Sequence, residues 1–324
     1  MRVLIWHVHG GWMDAFVRGR HEYLLPVAPG GGAYGLGRAG RDWPVSVREV
    51  PYAELADESI DVVVLQRPEE EQLTRGLTGR VPGHDLPAVF LEHNTPPAPN
   101  TRHRMADRPD LPLVHVTHFN DLMWDCGTTP TTVVEHGVPD PGHLFTGELA
   151  AAAVVLNEPV RRGRVTGTDL LPRFAEAGRL DVFGMGLERL PETVGLDSDA
   201  LRTIGDLPTA RLHAELARRR VYLHVTRWTS LGLSLLEAMH AGLPPVVLGT
   251  TEAARAVPPG VGVVSTRVAD LVEAAAKLLG DRVLAADTGA RAREHALTHY
   301  GLGPFLETWD GVLAHAAAGT GGAA

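Results

Sequence analysis

Thr229-Ser230-Leu231-Gly232-Leu233-Ser234-Leu235-Leu236-Glu237-Ala238-Met239-His240-Ala241-Gly242-Leu243-Pro244 is a glycine turn that feeds a helix and ends on a second glycine. Short apolar runs lie before it at 221–225 and after it at 245–248, so the stretch reads as strand, loop, helix, strand, the repeating unit of a parallel sheet. A helix start leaves backbone N–H groups without intrahelical partners, and the aligned peptide dipoles add partial positive charge there. The turn at Gly232 can therefore cradle a diphosphate, with Glu237 further along the helix to accept hydrogen bonds from ribose hydroxyls. An ordinary amphipathic helix behind a capping turn has the same local pattern, so the rest of the chain has to decide.

The same rhythm runs outward in both directions. Strand-like runs at 2–8, 45–50, 61–65, 87–91, 112–116 and 131–135 alternate with helical stretches, and a second series follows at 153–156, 180–183, 221–225, 245–248 and 261–264. Asp61-Val62-Val63-Val64-Leu65 is apolar on both faces, as a strand covered by helices on both sides must be. Between the series, Gly137-Val138-Pro139-Asp140-Pro141-Gly142 ends regular structure. A chain of 324 residues exceeds what one core organises, and two domains of roughly 150 residues are expected. The expectation is an α/β protein of two Rossmann-like, doubly wound parallel-sheet domains, 1–140 and 141–302, facing across a cleft. Residues 303–316, with Phe305, Leu306, Trp309 and Val312 on one apolar face, are expected to form a helix packing back across the domains, and 317–324 a disordered tail. Open parallel sheets bind ligands beyond the carboxyl ends of their strands, so motifs at strand ends carry most weight.

Composition narrows the classes. The formal charge of −9 opposes a general nucleic-acid role, while a local arginine cluster could still hold a small anion. The single cysteine, Cys126, forms no intramolecular disulfide, which suits a reducing cytoplasm. Met1 opens directly onto a strand without the pattern of a secretory leader, and no apolar run approaches membrane-spanning length, so membrane insertion is not expected.

A second constellation follows the first strand of the later series: Asn157-Glu158-Pro159-Val160-Arg161-Arg162-Gly163-Arg164-Val165-Thr166-Gly167-Thr168-Asp169-Leu170-Leu171 puts three arginines in one turn-rich loop. Three cations at a strand's carboxyl end in an acidic protein suit a phosphate site, although arginine-rich loops also occur as solvated surface. With these residues the chain resembles the family 4 glycosyltransferases, retaining nucleotide-sugar enzymes of GT-B fold. The family motif has two glutamates around Gly-Leu, then Ala-Met and Gly-Leu-Pro; this chain matches at Gly232, Leu233, Glu237, Ala238, Met239, Gly242, Leu243 and Pro244, and has Thr229 at the first glutamate position. The resemblance implies that Arg161 stands at the family's arginine position and Thr166 at its lysine position, so Arg162 or Arg164 supplies the second charge on the leaving diphosphate. It also implies that Leu180-Asp181-Val182-Phe183-Gly184-Met185-Gly186 lines the nucleobase pocket and that Gly205-Asp206-Leu207 is the next strand end. The implied donor-binding set is Arg161, Arg162, Arg164, Thr166, Gly184, Met185, Asp206, Leu207, Thr229, Leu231, Gly232, Leu233 and Glu237.

In the first domain, His7-Val8-His9-Gly10-Gly11-Trp12 leaves the first strand, and its paired glycines permit close approach of backbone to ligand. Alternation puts His7 and His9 on one face, but no further convergent ligand accompanies them, so no metal site is expected. Val89-Phe90-Leu91-Glu92-His93-Asn94 ends a strand in a polar cluster, and His93 matches a family histidine that contacts the donor sugar. The resemblance thus implies catalytic roles for His93, Arg161, Gly10 and Gly11; Glu92, Asn94, Arg102 and Trp12 could then face the acceptor, and Arg67, at the end of another strand, could do likewise or belong to a salt-bridged surface turn. The segment from Val116-Thr117-His118 through Glu135-His136-Gly137-Val138 resembles the family's final first-domain unit.

Two literal matches carry no chemistry. Gly35-Leu36-Gly37-Arg38-Ala39-Gly40 spells a dinucleotide fingerprint but precedes a strand, and His295 and His299 lack the glutamate a zincin needs, because Ala296 follows the first. The function expected is transfer of a hexosyl or heptosyl unit, with retention and without a metal or other cofactor, from an NDP-sugar to a small-molecule or glycan hydroxyl or amine. The alternatives are a GT-B-like epimerase or phosphorylase and a non-catalytic nucleotide-sugar-binding module.

Overall fold

The computed structural model describes residues 1–319 and divides into two units, Met1–Pro139 together with the helix that begins at Leu302, and Asp140–Gly301. In the first unit the order is β1 (Arg2–Ile5), α1 (Gly10–Phe16), β2 (Glu22–Val27), β3 (Val47–Pro51), β4 (Val62–Leu65), α2 (Glu69–Thr78), β5 (Ala88–Glu92), β6 (Leu113–His115), α3 (His118–Met123) and β7 (Thr131–Val133). These strands form one parallel seven-stranded sheet, β3-β2-β1-β4-β5-β6-β7. Every residue of β4 is buried, which is what its all-apolar sequence requires of a strand covered on both faces.

The second unit runs β8 (Leu149–Val155), α4 (Pro159–Arg162), α5 (Leu171–Ala175), β9 (Arg179–Phe183), α6 (Leu190–Val194), β10 (Leu201–Gly205), α7 (Thr209–Ala217), β11 (Arg219–His224), α8 (Leu233–His240), β12 (Pro245–Leu248), α9 (Ala253–Ala256), β13 (Val263–Ser265), α10 (Val268–Gly280) and α11 (Arg282–His299). Its parallel sheet is ordered β10-β9-β8-β11-β12-β13. The core packs Val154, Val182, Leu223 and Val246 of four strands with Leu271 and Leu278 of α10, each fully buried aliphatic side chain contributing about 1.5–3 kcal/mol against exposure.

The last helix, α12 (Leu302–Gly319), belongs with the first unit. Trp309 lies edge-on to Trp12 at 5.5 Å and to Phe16 at 5.0 Å, and Asp310 accepts from His21 Nε2 at 2.8 Å. Aromatic pairs of this kind add about 0.5–1.5 kcal/mol beyond their buried area. The helix continues three residues past the expected end at 316, and the remainder of the expected tail, 320–324, lies outside the described residues.

Three elements differ from expectation. β2 was not anticipated, because Pro26 argues against an interior strand; the β1–β2 ladder stops at Leu24, so no neighbour on that side needs the missing donor. β8 starts at Leu149 rather than Ala153, since alanine is a poor strand former in general but fits a sheet face closely covered by helices. β10 was foreseen only at its end, because as an edge strand its Arg202 and Thr203 are exposed and break the apolar run.

Candidate functional site

Each sheet has one switch point, where consecutive connections leave in opposite directions. In the second unit it lies between β8 and β11: the chain goes from β8 to β9 and β10 on one side, and from β11 to β12 and β13 on the other. Crevices beyond the carboxyl ends of such strands hold ligands in open α/β sheets. The loop after β8 carries the three arginines and the loop after β11 carries Gly232, so the two motifs quoted from sequence stand at adjacent strand ends.

The two loops are bonded together. Arg227 donates its backbone N–H to Val165 O at 2.9 Å and Nη1 to Arg164 O at 2.9 Å. Gly167 has φ +77°, and a Cβ there would stand 2.0 Å from Val225 O, so only glycine lets the loops approach this closely. Asp169 accepts from Arg164 Nη1 at 2.7 Å and Arg227 Nη2 at 2.9 Å, which holds its carboxyl below the usual aspartate value, Arg227 contributing most.

Arg161 is 72% exposed and stands 3.6 Å from Glu158. Arg162 is half-buried and, among the described residues, has no carboxylate within ion-pair distance. Burial, then the neighbouring Arg161, push its guanidinium below the ordinary arginine value. Four guanidinium groups, those of Arg161, Arg162, Arg164 and Arg227, thus share two carboxylates, those of Glu158 and Asp169, leaving a surplus of positive charge.

Beside this loop Gly232 caps α8 with extended backbone, and no acidic residue occupies the helix's first turn. A Cβ on Gly232 would meet His224 Cε1 at 2.8 Å. Burial drives His224 down to about 4, so at neutral pH it adds no charge to the turn. Ser234 Oγ accepts from Tyr222 OH at 2.8 Å, and Glu237 lies near the buried His213 of α7, whose Nε2 is 3.6 Å from the carboxylate. The loop after β9 joins the same sheet end: Met185 N donates to Asn157 Oδ1 at 3.1 Å, Glu158 N donates to Met185 O at 2.8 Å, and Met185 is 49% exposed. A Cβ on Gly184, at φ +118°, would lie 2.2 Å from Leu156 O. After β10, Asp206 is exposed and Leu207 half-buried; Thr229 and Leu233 are half-buried.

Two members of the expected donor set are corrected. Thr166 is buried, with its hydroxyl donating to Gly163 O at 3.0 Å and paired with Thr168 Oγ1, so it braces the loop rather than facing a ligand. Leu231 is 6% exposed and packs inward.

In the first unit the switch point lies between β1 and β4. Gly10 and Gly11 open α1 rather than forming a free loop, and Arg41, paired with Asp14 at 2.7 Å, lies across Gly10 where a Cβ would stand 2.1 Å from its Nη2. β1 ends at Ile5, so strand alternation does not extend to the histidines. His7 turns to Gly37 O at 2.9 Å, whereas the His9 ring packs on His93 with centroids 4.2 Å apart, which corrects the expected common face. His93 is buried, and its pKa lies well below the ordinary value because of burial and then the nearby His9 and His136. Its Nε2 is 2.8 Å from Gln66 Oε1.

Trp12 is corrected as an acceptor contact: it is 1% exposed, on the face of α1 turned to Phe16 and Trp309. Arg67 and Arg102 are engaged within the protein, Arg67 with Glu70 at 2.7 Å and 4.0 Å from the Tyr34 ring centroid, Arg102 with Asp107 and Asp125. Glu92 accepts from Asn94 N at 2.7 Å and pairs with His103 at 3.0 Å. Sequence reasoning missed Gln66 as a partner of His93, His213 beside Glu237, and His136, whose two ring nitrogens are buried without hydrogen-bond partners among the described residues. No local pattern marks them, since each meets its neighbours through the fold. Among the described residues no group of three or more His, Cys, Asp or Glu side chains is placed to hold a metal ion.

Residues 190–295 match the family model described as glycosyl transferases group 1. No curated protein sequence matches the chain. Among solved structures, sucrose-phosphate synthase from Thermosynechococcus elongatus superposes with TM-score 0.72 at 12% identity, covering 98% of this chain and 100% of that one. Anabaena Alr3699/HepE in complex with UDP-glucose gives TM-score 0.71 at 14% identity, covering 97% and 100%. TarM gives 0.59 at 15% identity over 78% of this chain, which spans 54% of TarM's length. The fold is the GT-B fold. Within it, β8 and β11 of the second GT-B unit lead into the cationic loop and the glycine helix start, and β1, β5 and β7 of the first lead into His9, His93 and His136.

Proposed function

We propose that the protein is a nucleotide-sugar-dependent glycosyltransferase whose donor diphosphate binds at the carboxyl ends of β8 and β11. The observation that carries this reading is Arg162, a half-buried guanidinium that has no carboxylate within ion-pair distance among the described residues, in the loop after β8, the strand next to the one that leads into α8. Buried charge is ordinarily paired, so a strand end that leaves one cation unmatched, with an anion-favouring helix start after the adjacent strand, suits an anionic ligand. Arg161, largely exposed, reaches the same ligand, while Arg164 and Arg227 hold the loop through Asp169. Glu237 takes the ribose hydroxyls, and the turn at Gly184 and Met185 borders the base. The family-model match at 190–295 and the GT-B neighbour with UDP-glucose bound support a sugar nucleotide as the ligand.

Charge growing on the departing diphosphate is stabilised by Arg161, Arg162 and the α8 dipole, so the reaction needs no metal or other cofactor. The sugar is transferred with retention, the acceptor hydroxyl or amine losing its proton to the leaving phosphate, and His93 with the Gly10–Gly11 turn orients the reacting groups. A hexosyl or heptosyl donor is the reading the family resemblance favours. One observation supports a second reading, a nucleotide-sugar-binding module without turnover: Thr166 and Thr229 supply no charge where the family has lysine and glutamate. Calorimetric titration with ADP, GDP, UDP and TDP tests the donor site. Binding of at least one is expected; binding of none removes the proposal.

A further inference from the structure

We propose that His213 is a positioning residue for Glu237: its imidazole N–H holds one carboxylate oxygen, so that the other meets the ribose and the site tells a ribonucleotide from its 2′-deoxy counterpart. The inference rests on the proposed function, in which Glu237 takes the ribose hydroxyls. It starts from two incomplete groups that face each other. His213 Nε2 is buried and has no hydrogen-bond partner among the described residues. The Glu237 carboxylate accepts no hydrogen bond among them either, and its Oε2 stands 3.6 Å from that nitrogen. The separation is just past hydrogen-bond length, so a small side-chain rotation closes it. A carboxylate only accepts, and the nitrogen turned to it therefore carries the proton. The His213 side chain is 9% exposed and that of Glu237 16%, a setting in which a donor and an acceptor left unmatched each cost free energy.

The fold around β11 brings the pair together, because α7 leads into that strand and α8 leaves it. On α7 the positions i, i+3 and i+4 of one face are His213, Leu216 and Ala217, all buried, which carries the ring inward. On α8, Glu237 sits between the buried Leu236 and Ala238. Two other titratable side chains act on the carboxylate, and each has its proton committed elsewhere. Tyr222 OH donates to Ser234 Oγ at 2.8 Å. His240 Nδ1 donates to Leu236 O at 2.8 Å, and burial lowers the pKa of this ring, so in its neutral form Nε2 has no proton to offer. His213 is thereby left as the donor for Glu237, and fixing one oxygen fixes the direction of the other. A ribose 2′-hydroxyl donating to that oriented carboxylate makes a charge-assisted hydrogen bond that a deoxyribose does not make.

Calorimetric titration of the full-length protein with ADP, GDP and UDP and with their 2′-deoxy counterparts tests this. For the base it prefers, the wild type is expected to bind the ribose form about tenfold more tightly than the deoxy form. His213→Phe keeps a ring and removes the donor, and His213→Leu serves in its place if the larger ring does not fold; in either the preference is expected to fall to about threefold or less. His213→Gln brings an amide N–H to a similar reach and is expected to restore the wild-type preference. In a Glu237→Gln background His213→Phe is expected to change the preference no further, because it acts through the carboxylate. Each preference compares two ligands on one protein, so a general loss of fold or affinity leaves it unmoved. Equal binding of both sugars by the wild type overturns the proposal while leaving the donor site in place. So does a preference unchanged by removing the donor, one that glutamine does not restore, or a further fall in the Glu237→Gln background. Binding of no diphosphate by the wild type removes the proposed function and this inference with it.

Discussion

Replacing Arg162 by methionine tests the electrostatic reading of the donor site, because methionine keeps most of the apolar stem and removes only the cation. In the free protein this cation is half-buried, has no carboxylate partner among the described residues and lies beside Arg161. Its removal therefore relieves desolvation and like-charge repulsion, and the melting temperature of the unliganded protein should hold or rise. In the proposed complex the same cation meets a diphosphate. A hydrogen bond to a charged group is worth about 1.5–3 kcal/mol, so Arg162→Met should weaken nucleoside diphosphate binding about ten- to a hundredfold. Calorimetry at two salt concentrations, with a thermal melt of each unliganded protein, supplies both numbers. The variant should also show a shallower salt dependence, having one fewer cation at the site. A variant that melts lower yet binds the diphosphate as tightly as wild type would refute the reasoning, because Arg162 would then be structural.

Glu237→Gln should weaken donor binding about tenfold by removing charge-assisted hydrogen bonds to ribose, whereas Arg161→Ala should lower kcat strongly, since charge on the diphosphate grows toward the transition state; steady-state kinetics on both variants separates the roles. Turnover should persist in EDTA, and strict dependence on a divalent ion would overturn the metal-free account. Acid should destabilise the fold through three buried histidines, His115, His136 and His224, each driven down to about 4 chiefly by burial. Their folded values lie below the unfolded value of 6.5, so the unfolded chain binds more protons between pH 6.5 and 4, and stability falls as pH drops through that window by up to ~4 kcal/mol per pH unit. Urea midpoints measured at intervals across the window check this; a flat profile would show that these rings titrate normally.

The features legible in the sequence are those that depend on neighbours along the chain. The apolar run at β4 announced a covered strand, and the glycine turn at Gly232 and the arginine loop at 161–164 announced two strand-end motifs, which the sheet order then placed at adjacent strands. What escaped depends on pairing at a distance. Thr166 was read from its alignment with a lysine, but its hydroxyl is consumed by Gly163 and Thr168. Trp12 stood in a glycine-rich segment that suggested a loop; the helix beginning at Gly10 turns it into the core against a helix from the far end of the chain. Gln66 and His93 are 27 residues apart and meet only because their strands are neighbours through parallel register.

The central claim is that this chain breaks a sugar nucleotide at a site in its second unit. Its most direct test is a turnover experiment in which the wild type and Arg161→Ala are incubated with ADP-, GDP-, UDP- and TDP-sugars, with water and simple polyols as acceptors, while released nucleoside diphosphate and sugar anomer are followed by NMR. The account predicts diphosphate release from at least one donor with the anomeric configuration kept, and a strong loss of that rate in Arg161→Ala. Release at equal rates by both proteins, or an inverted product, would contradict it.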